Sequence, residues 1–168
     1  QTIKAELQEL GETFFTQGDS EVLLVGYKRW GKALVPKLNG MFAFSIYDRE
    51  KKEVFSARDR LGVKPFYYSW DKGKFEICSQ IKPLSEGKTI DQEAIEIYLQ
   101  TGYVPSPWSI YKEVRKLKPG FLMTVKLDSQ EIEFEQYWEL QSPKETKLSY
   151  QEAKEELHEL LKDAVKIR

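Results

Sequence analysis

Cysteine and histidine are nearly missing: one of each in 168 residues, Cys78 and His158. A single cysteine cannot close an internal disulfide, so the chain is not a disulfide scaffold, and its thiol fits a reducing, cytoplasmic setting. One cysteine and one histidine fall short of the ligand set of a zinc site. Excess charge of either sign is also missing. Lys and Arg number 26 against 27 Asp and Glu, a formal net charge of −1. Such a chain has no field to draw in nucleic acid or an anionic membrane, and neither is expected as a partner. No apolar run reaches the roughly 18 residues of a spanning helix. The opening Gln1-Thr2-Ile3-Lys4-Ala5-Glu6 has no signal-peptide pattern, and no glycine-rich phosphate loop of either common pattern occurs.

What is present is the material of one ordinary α+β domain. Apolar residues make up 40% and aromatics 13%, enough for a core heavy in Phe, Tyr and Trp. Ile3, Leu7 and Leu10 share a helical face that stops at Gly11. A second helix is predicted from Asp19, read as its N-cap, with Leu23, Tyr27 and Trp30 on one face and Gly31 at its end. A short helical piece before Asn39-Gly40 follows. The period then changes to that of strands. Met41–Tyr47 and Glu53–Ala57 form one predicted hairpin, Phe66–Trp70 and Lys74–Cys78 a second, and Phe121–Lys126 with Glu131–Tyr137 a third. The first strand is apolar on both faces, which predicts a sheet covered on both sides.

A third helix is expected after Asp91, running to Gly102. Prolines make Tyr103–Trp108 an irregular loop. Gln141–Lys147, with Pro143, reads as a linker. Ser149-Tyr150-Gln151-Glu152 is a capping box that opens a last helix. Leu157, Leu160, Leu161, Ala164 and Val165 form its apolar stripe, which needs a partner surface and implies that the protein continues past Arg168.

The chemistry legible from the residues alone is sparse. His158 lies beside the apolar stripe and reads as a solvated side chain, Cys78 as a small core residue at a strand end. Arg58-Asp59-Arg60-Leu61-Gly62-Val63-Lys64-Pro65 places four charges in one connection. It reads as a tight, salt-bridged turn, with a substrate clamp as the rival reading. Asp19 is either a plain helix cap or a carboxylate that holds a ligand ammonium.

Several segments together resemble one family. Gly18-Asp19-Ser20-Glu21-Val22-Leu23-Leu24, Leu38-Asn39-Gly40-Met41-Phe42-Ala43-Phe44, Ala57–Tyr68, Gly102-Tyr103-Val104-Pro105, Lys116-Leu117-Lys118-Pro119-Gly120 and Tyr137-Trp138 occur in order. They are similar to segments of glutamine-hydrolysing asparagine synthetases, ligases of asparagine biosynthesis. The resemblance implies an N-terminal-nucleophile hydrolase fold, a four-layer αββα sandwich, here incomplete at its N-terminus. It implies residues 1–138 as the glutaminase domain and 139–168 as the linker and first helix of a synthetase domain. In the family, an N-terminal Cys attacks the side-chain amide of glutamine with its own α-amine as base, and an Asn–Gly pair supplies the oxyanion hole. The ammonia then amidates aspartate in a second domain that uses ATP and Mg²⁺. Of the ligand residues, only Asp19 carries over, to hold the α-amino group of glutamine.

The departures shape the expectations. Residue 1 is Gln, not Cys, and Cys78 cannot replace a nucleophile whose own α-amine is the base. Asn39-Gly40 falls in the structural segment and is not assigned to the oxyanion hole. No catalytic residue, metal site or cofactor is therefore expected in this chain, and the chain alone is expected to be inactive. Glutamine, the synthetase domain and a homodimeric copy are the partners implied. Two alternatives stay open: a non-catalytic scaffold domain of a related synthetase, and an amidotransferase acting on another acceptor.

Overall fold

The computed structural model describes residues 2–71, 73–142 and 147–166. The chain forms, in order, α1 (Thr2–Glu9), α2 (Asp19–Trp30), a 3₁₀ segment (Gly31–Lys37), β1 (Ala43–Asp48), β2 (Glu53–Arg58), β3 (Tyr67–Asp71) and β4 (Lys74–Cys78). A short 3₁₀ turn (Lys82–Leu84), α3 (Gln92–Thr101), β5 (Val114–Lys116), β6 (Phe121–Lys126), β7 (Glu131–Gln136) and α4 (Tyr150–Lys166) complete it.

Two antiparallel sheets result. One has the order β1-β2-β6-β7, the other β4-β3-β5. The three predicted hairpins all form, but they are shared between sheets: β1-β2 and β6-β7 lie in the first, β3-β4 in the second. The period of two sorts the first sheet's side chains onto two cores. Phe55, Ala57, Ile46 and Leu122 point to one face, where Val35, Tyr27 and Leu38 of the helical layer cover them. Met123, Val125 and Val54 point to the other, against Tyr68, Trp70 and Phe75 of the second sheet. The sheet is thus covered on both faces, as its doubly apolar strands require. Full burial of one side chain such as Phe55 contributes about 1.5–3 kcal/mol. Tyr27 stacks on Phe55 at 5.1 Å between ring centroids and fixes α2 over the sheet.

α3 lies beside the second sheet, across a groove from β3 and β5. The Asp91 N–H donates to the Ile110 carbonyl at 2.9 Å, and Ile90 bridges Tyr111. Tyr98 of α3 faces Tyr67 and Lys116 across a groove of about 420 Å³. The layers therefore run helix, sheet, sheet, helix, which is the αββα order expected.

Some boundaries differ from the sequence reading. The N-cap of α2 is Gly18, and Asp19 is the first helical residue; no side chain caps this end. Asp91 does sit at the N-cap of α3, but its side chain makes no capping hydrogen bond. Met41 and Phe42 precede β1, and the Phe42 carbonyl instead accepts the Asp59 N–H at 2.9 Å. β5 has only three residues and no alternating pattern, so periodicity could not reveal it. The capping box holds: the Ser149 N–H and Oγ both donate to Glu152 Oε2, at 2.8 and 2.7 Å. On α4, Leu157, Leu160, Leu161 and Val165 are all exposed. Within the linker assignment, residues 143–146 lie outside the described residues, as does Arg168 at the predicted helix end. No helix among the described residues is long and apolar enough to cross a membrane.

Candidate functional site

Asp19 stands in the first turn of α2, exposed to solvent. Its carboxylate has no hydrogen-bond or ion-pair partner among the described residues. It lies roughly 12 Å along the helix from Tyr27, at 1.5 Å per residue. It lines none of the cavities described below. The turn that carries it is fixed by its neighbour Glu21. Glu21 Oε1 accepts the Phe15 N–H at 2.8 Å, and Oε2 accepts the Thr16 N–H at 2.7 Å and the Thr16 hydroxyl at 2.6 Å. These bonds, the Phe15 N–H first, hold the Glu21 carboxyl below its usual range. The clasp is therefore intact at neutral pH and is lost on acidification through that lowered value. Its effect is to fix the chain entering α2, and with it the position of Asp19 in the first turn.

The Arg58–Pro65 connection is a structural knot. Arg58 and Asp59 are 8% and 2% exposed. Arg58 Nε donates to the Lys64 carbonyl at 2.8 Å, Nη2 to Gly62 at 2.7 Å and Nη1 to Leu117 at 2.6 Å. Burial pushes the Arg58 guanidinium down from its ordinary value, with Asp59 opposing the shift. Asp59 accepts the Val63 and Lys64 N–H groups at 2.9 and 3.0 Å. The tight turn expected from sequence is present, but among the described residues it is tied by backbone groups and no ion pair joins its charges. Three of the five Arg58 N–H donors go to backbone carbonyls, so the side chain serves first as a tie within the turn. Tyr137 closes the knot by donating its hydroxyl to the Arg58 carbonyl at 2.9 Å, and burial pushes its pKa up to about 12.

The other sequence candidates do not converge. Cys78 ends β4, half-buried, while His158 is exposed on α4. Among the described residues, no group of three or more His, Cys, Asp or Glu side chains could hold a metal ion. What sequence reasoning missed is the cleft beside the knot. It has a volume of about 300 Å³ and runs between the Arg58–Pro65 turn and the Tyr103–Ser106 loop, with Tyr67 and Lys116 on its floor. Its parts lie far apart in the chain, and the only signal in the sequence was the proline-rich character of the loop.

Comparison with known proteins extends this picture. Residues 1–138 match the glutamine amidotransferase domain family. The chain is 42% identical over 161 residues to a protein of Methanocaldococcus jannaschii named putative asparagine synthetase [glutamine-hydrolyzing] 2, covering 91% of this chain and 31% of that protein. It is 34% identical over 139 residues to asparagine synthetase [glutamine-hydrolyzing] 1 of Bacillus subtilis, covering 81% of this chain and 22% of that one. The chain thus spans about a third or less of the length of these relatives. Among solved structures, the glutamine phosphoribosylpyrophosphate amidotransferase of B. subtilis superposes with a TM-score of 0.57 at 21% identity, over 82% of this chain and 26% of that one. That likeness concerns the fold, and it agrees with the αββα layers of the N-terminal-nucleophile type. The family match over most of the chain, the segments that carry it and the stacked antiparallel sheets lead to one conclusion: this chain belongs to the glutamine amidotransferase domain family.

Proposed function

We propose that the chain is the glutaminase half of a glutamine-dependent asparagine synthetase, with residues 1–138 forming the glutaminase layers. Residues 139–168 then act as the linker and first helix of the synthetase domain. The exposed leucines of α4 pack into that domain in the whole protein. There ATP and Mg²⁺ support the amidation of aspartate. The observation that carries this reading is the family match over residues 1–138 together with 42% identity to a relative named as a glutamine-hydrolysing asparagine synthetase.

Asp19 is the residue of this chain assigned to substrate. Its carboxylate is exposed and uncommitted among the described residues. A helix N-terminus favours a negative charge, so the free carboxylate is stable where it stands. It can accept a charge-assisted hydrogen bond from the α-ammonium of glutamine while Glu21 holds the turn. Such a bond contributes about 1.5–3 kcal/mol. In the full-length protein, Asp19→Asn is expected to lower kcat/KM for glutamine by roughly ten- to a hundredfold. Synthesis from free ammonia should be nearly unchanged, because ammonia has no use for the glutamine pocket. Parallel assays with the two nitrogen donors test this, and equal losses with both would reduce Asp19 to a structural residue.

The 168-residue polypeptide beginning at Gln1 should release no ammonia from glutamine. Its residue 1 has an α-amine but no thiol, and Cys78 has a thiol but no α-amine. A coupled ammonia assay on the purified polypeptide checks this, and turnover above that of a heat-denatured sample would refute it.

A further inference from the structure

The cleft beside the Arg58 knot has a chemistry that the glutaminase reading does not use. Two cations meet there, Arg58 and Lys116. Among the described residues neither has an ion-pair partner. Asp59, the nearest acid in sequence, has both oxygens committed to backbone N–H groups. Lys116 is half-buried on β5, and its Nζ donates to the Val104 carbonyl. An ammonium has three donors, so two remain. Burial first, and Arg58 second, push the Lys116 amine below its ordinary value. A partly desolvated cation facing a second cation, without a counter-ion, is stabilised by any anion that enters.

The walls narrow the class of anion. Ser106 Oγ lies 3.5 Å from Arg58 Nη1 and keeps its own proton free to donate. Tyr67, Tyr103, Leu61 and Pro105 supply apolar surface on either side. The Arg58 guanidinium gives three N–H groups to carbonyls and a long one to Ser106 Oγ, and it adds mainly its field. Few free donors beside a large apolar wall suit a monoanion with an apolar body better than a phosphate dianion, which demands many donors. The volume of about 300 Å³ admits such a molecule.

We propose that this cleft binds a small carboxylate, with its oxygens on Lys116 Nζ and Ser106 Oγ and its apolar body between Tyr67 and Tyr103. The site is separate from Asp19, so its test and that of glutamine binding succeed or fail independently. The experiment is a titration of the ¹⁵N-labelled 168-residue chain with phenylacetate at constant ionic strength, followed by amide chemical shifts. Saturating shifts confined to Tyr103, Val104, Ser106 and Lys116 are expected. Lys116→Met should weaken half-saturation by about tenfold, the loss of one charge-assisted hydrogen bond. Lys116→Arg should keep it within a few-fold. Undisturbed amide dispersion elsewhere certifies that each variant is folded; should Lys116→Met unfold, Ser106→Ala gives the same reading with a smaller loss. Shifts that never saturate, an affinity unchanged in Lys116→Met, or equal binding of inorganic phosphate would each overturn the proposal.

Discussion

Arg58→Met is expected to lower the unfolding free energy by about 3 kcal/mol or more, without touching any residue assigned to substrate. The methionine matches much of the arginine's volume, so the loss does not come from a cavity. It comes from the carbonyls of Gly62, Lys64 and Leu117, each of which loses a charged donor at 2.6–2.8 Å. A buried polar group left without a partner costs about 1–3 kcal/mol, and relaxation toward water recovers part of three such losses. Arg58→Lys should recover less than half, because one ammonium is a point charge and cannot span three carbonyls as a planar fork does. Urea unfolding of the three proteins measures this. A loss below about 1 kcal/mol in Arg58→Met would mean that the turn holds itself together without the guanidinium.

Gly120→Ala is the second large effect, and it isolates a steric cause. Gly120 has φ +70, and a Cβ placed there would lie 2.5 Å from the Trp138 carbonyl oxygen. The clash is with backbone, which no side-chain rotation relieves. The same residue ties three segments: its N–H donates to the Asp59 carbonyl at 3.0 Å, and its carbonyl accepts the Tyr137 N–H at 2.9 Å and the Trp138 N–H at 3.3 Å. Moving it loosens the end of β6, the Arg58 turn and the Tyr137 hydroxyl bond together. Gly87 is the control, with φ +68 and nothing within 4 Å of its Cβ position. Gly87→Ala should cost about 1 kcal/mol, the penalty of a left-handed alanine. Gly120→Ala should cost about 3 kcal/mol or more, the additional loss arising from the clash and the displaced hydrogen bonds. Equal losses at the two positions in thermal or urea unfolding would show that the segment after β7 that carries Trp138 yields freely.

The helices and hairpins were legible because their signals are local. Gly11, Gly31 and Gly102 end helical runs where a positive φ or a break in period is required, and the apolar runs at Phe44–Ile46 and Phe121–Val125 fall within strands. β5 was not legible, since three residues carry no period and its place is set by pairing with β3. The cap of α2 was misplaced by one residue for a related reason. Asp19 is a good capping residue, but Glu21 already ties the preceding loop to the helix, and Gly18 takes the extended conformation at the boundary. The candidate site divides in the same way. Asp19 stood out through its motif, whereas the Lys116 cleft joins residues more than 40 positions apart and had no motif to announce it.

The sequence by itself determined the fold class, the double covering of the first sheet and the family, because all three follow from the order of residues along the chain. Burial of Phe44, Ile46 and Phe55 on one face and of Val54, Met123 and Val125 on the other leaves no stable arrangement with an open sheet. The tertiary structure alone decided what the charged turn does. Whether Arg58 faces a ligand or its own backbone depends on where the Leu117 carbonyl, 59 residues away, comes to rest. Long-range proximity of that kind is set by how the two sheets stack, and no spacing in the sequence encodes it.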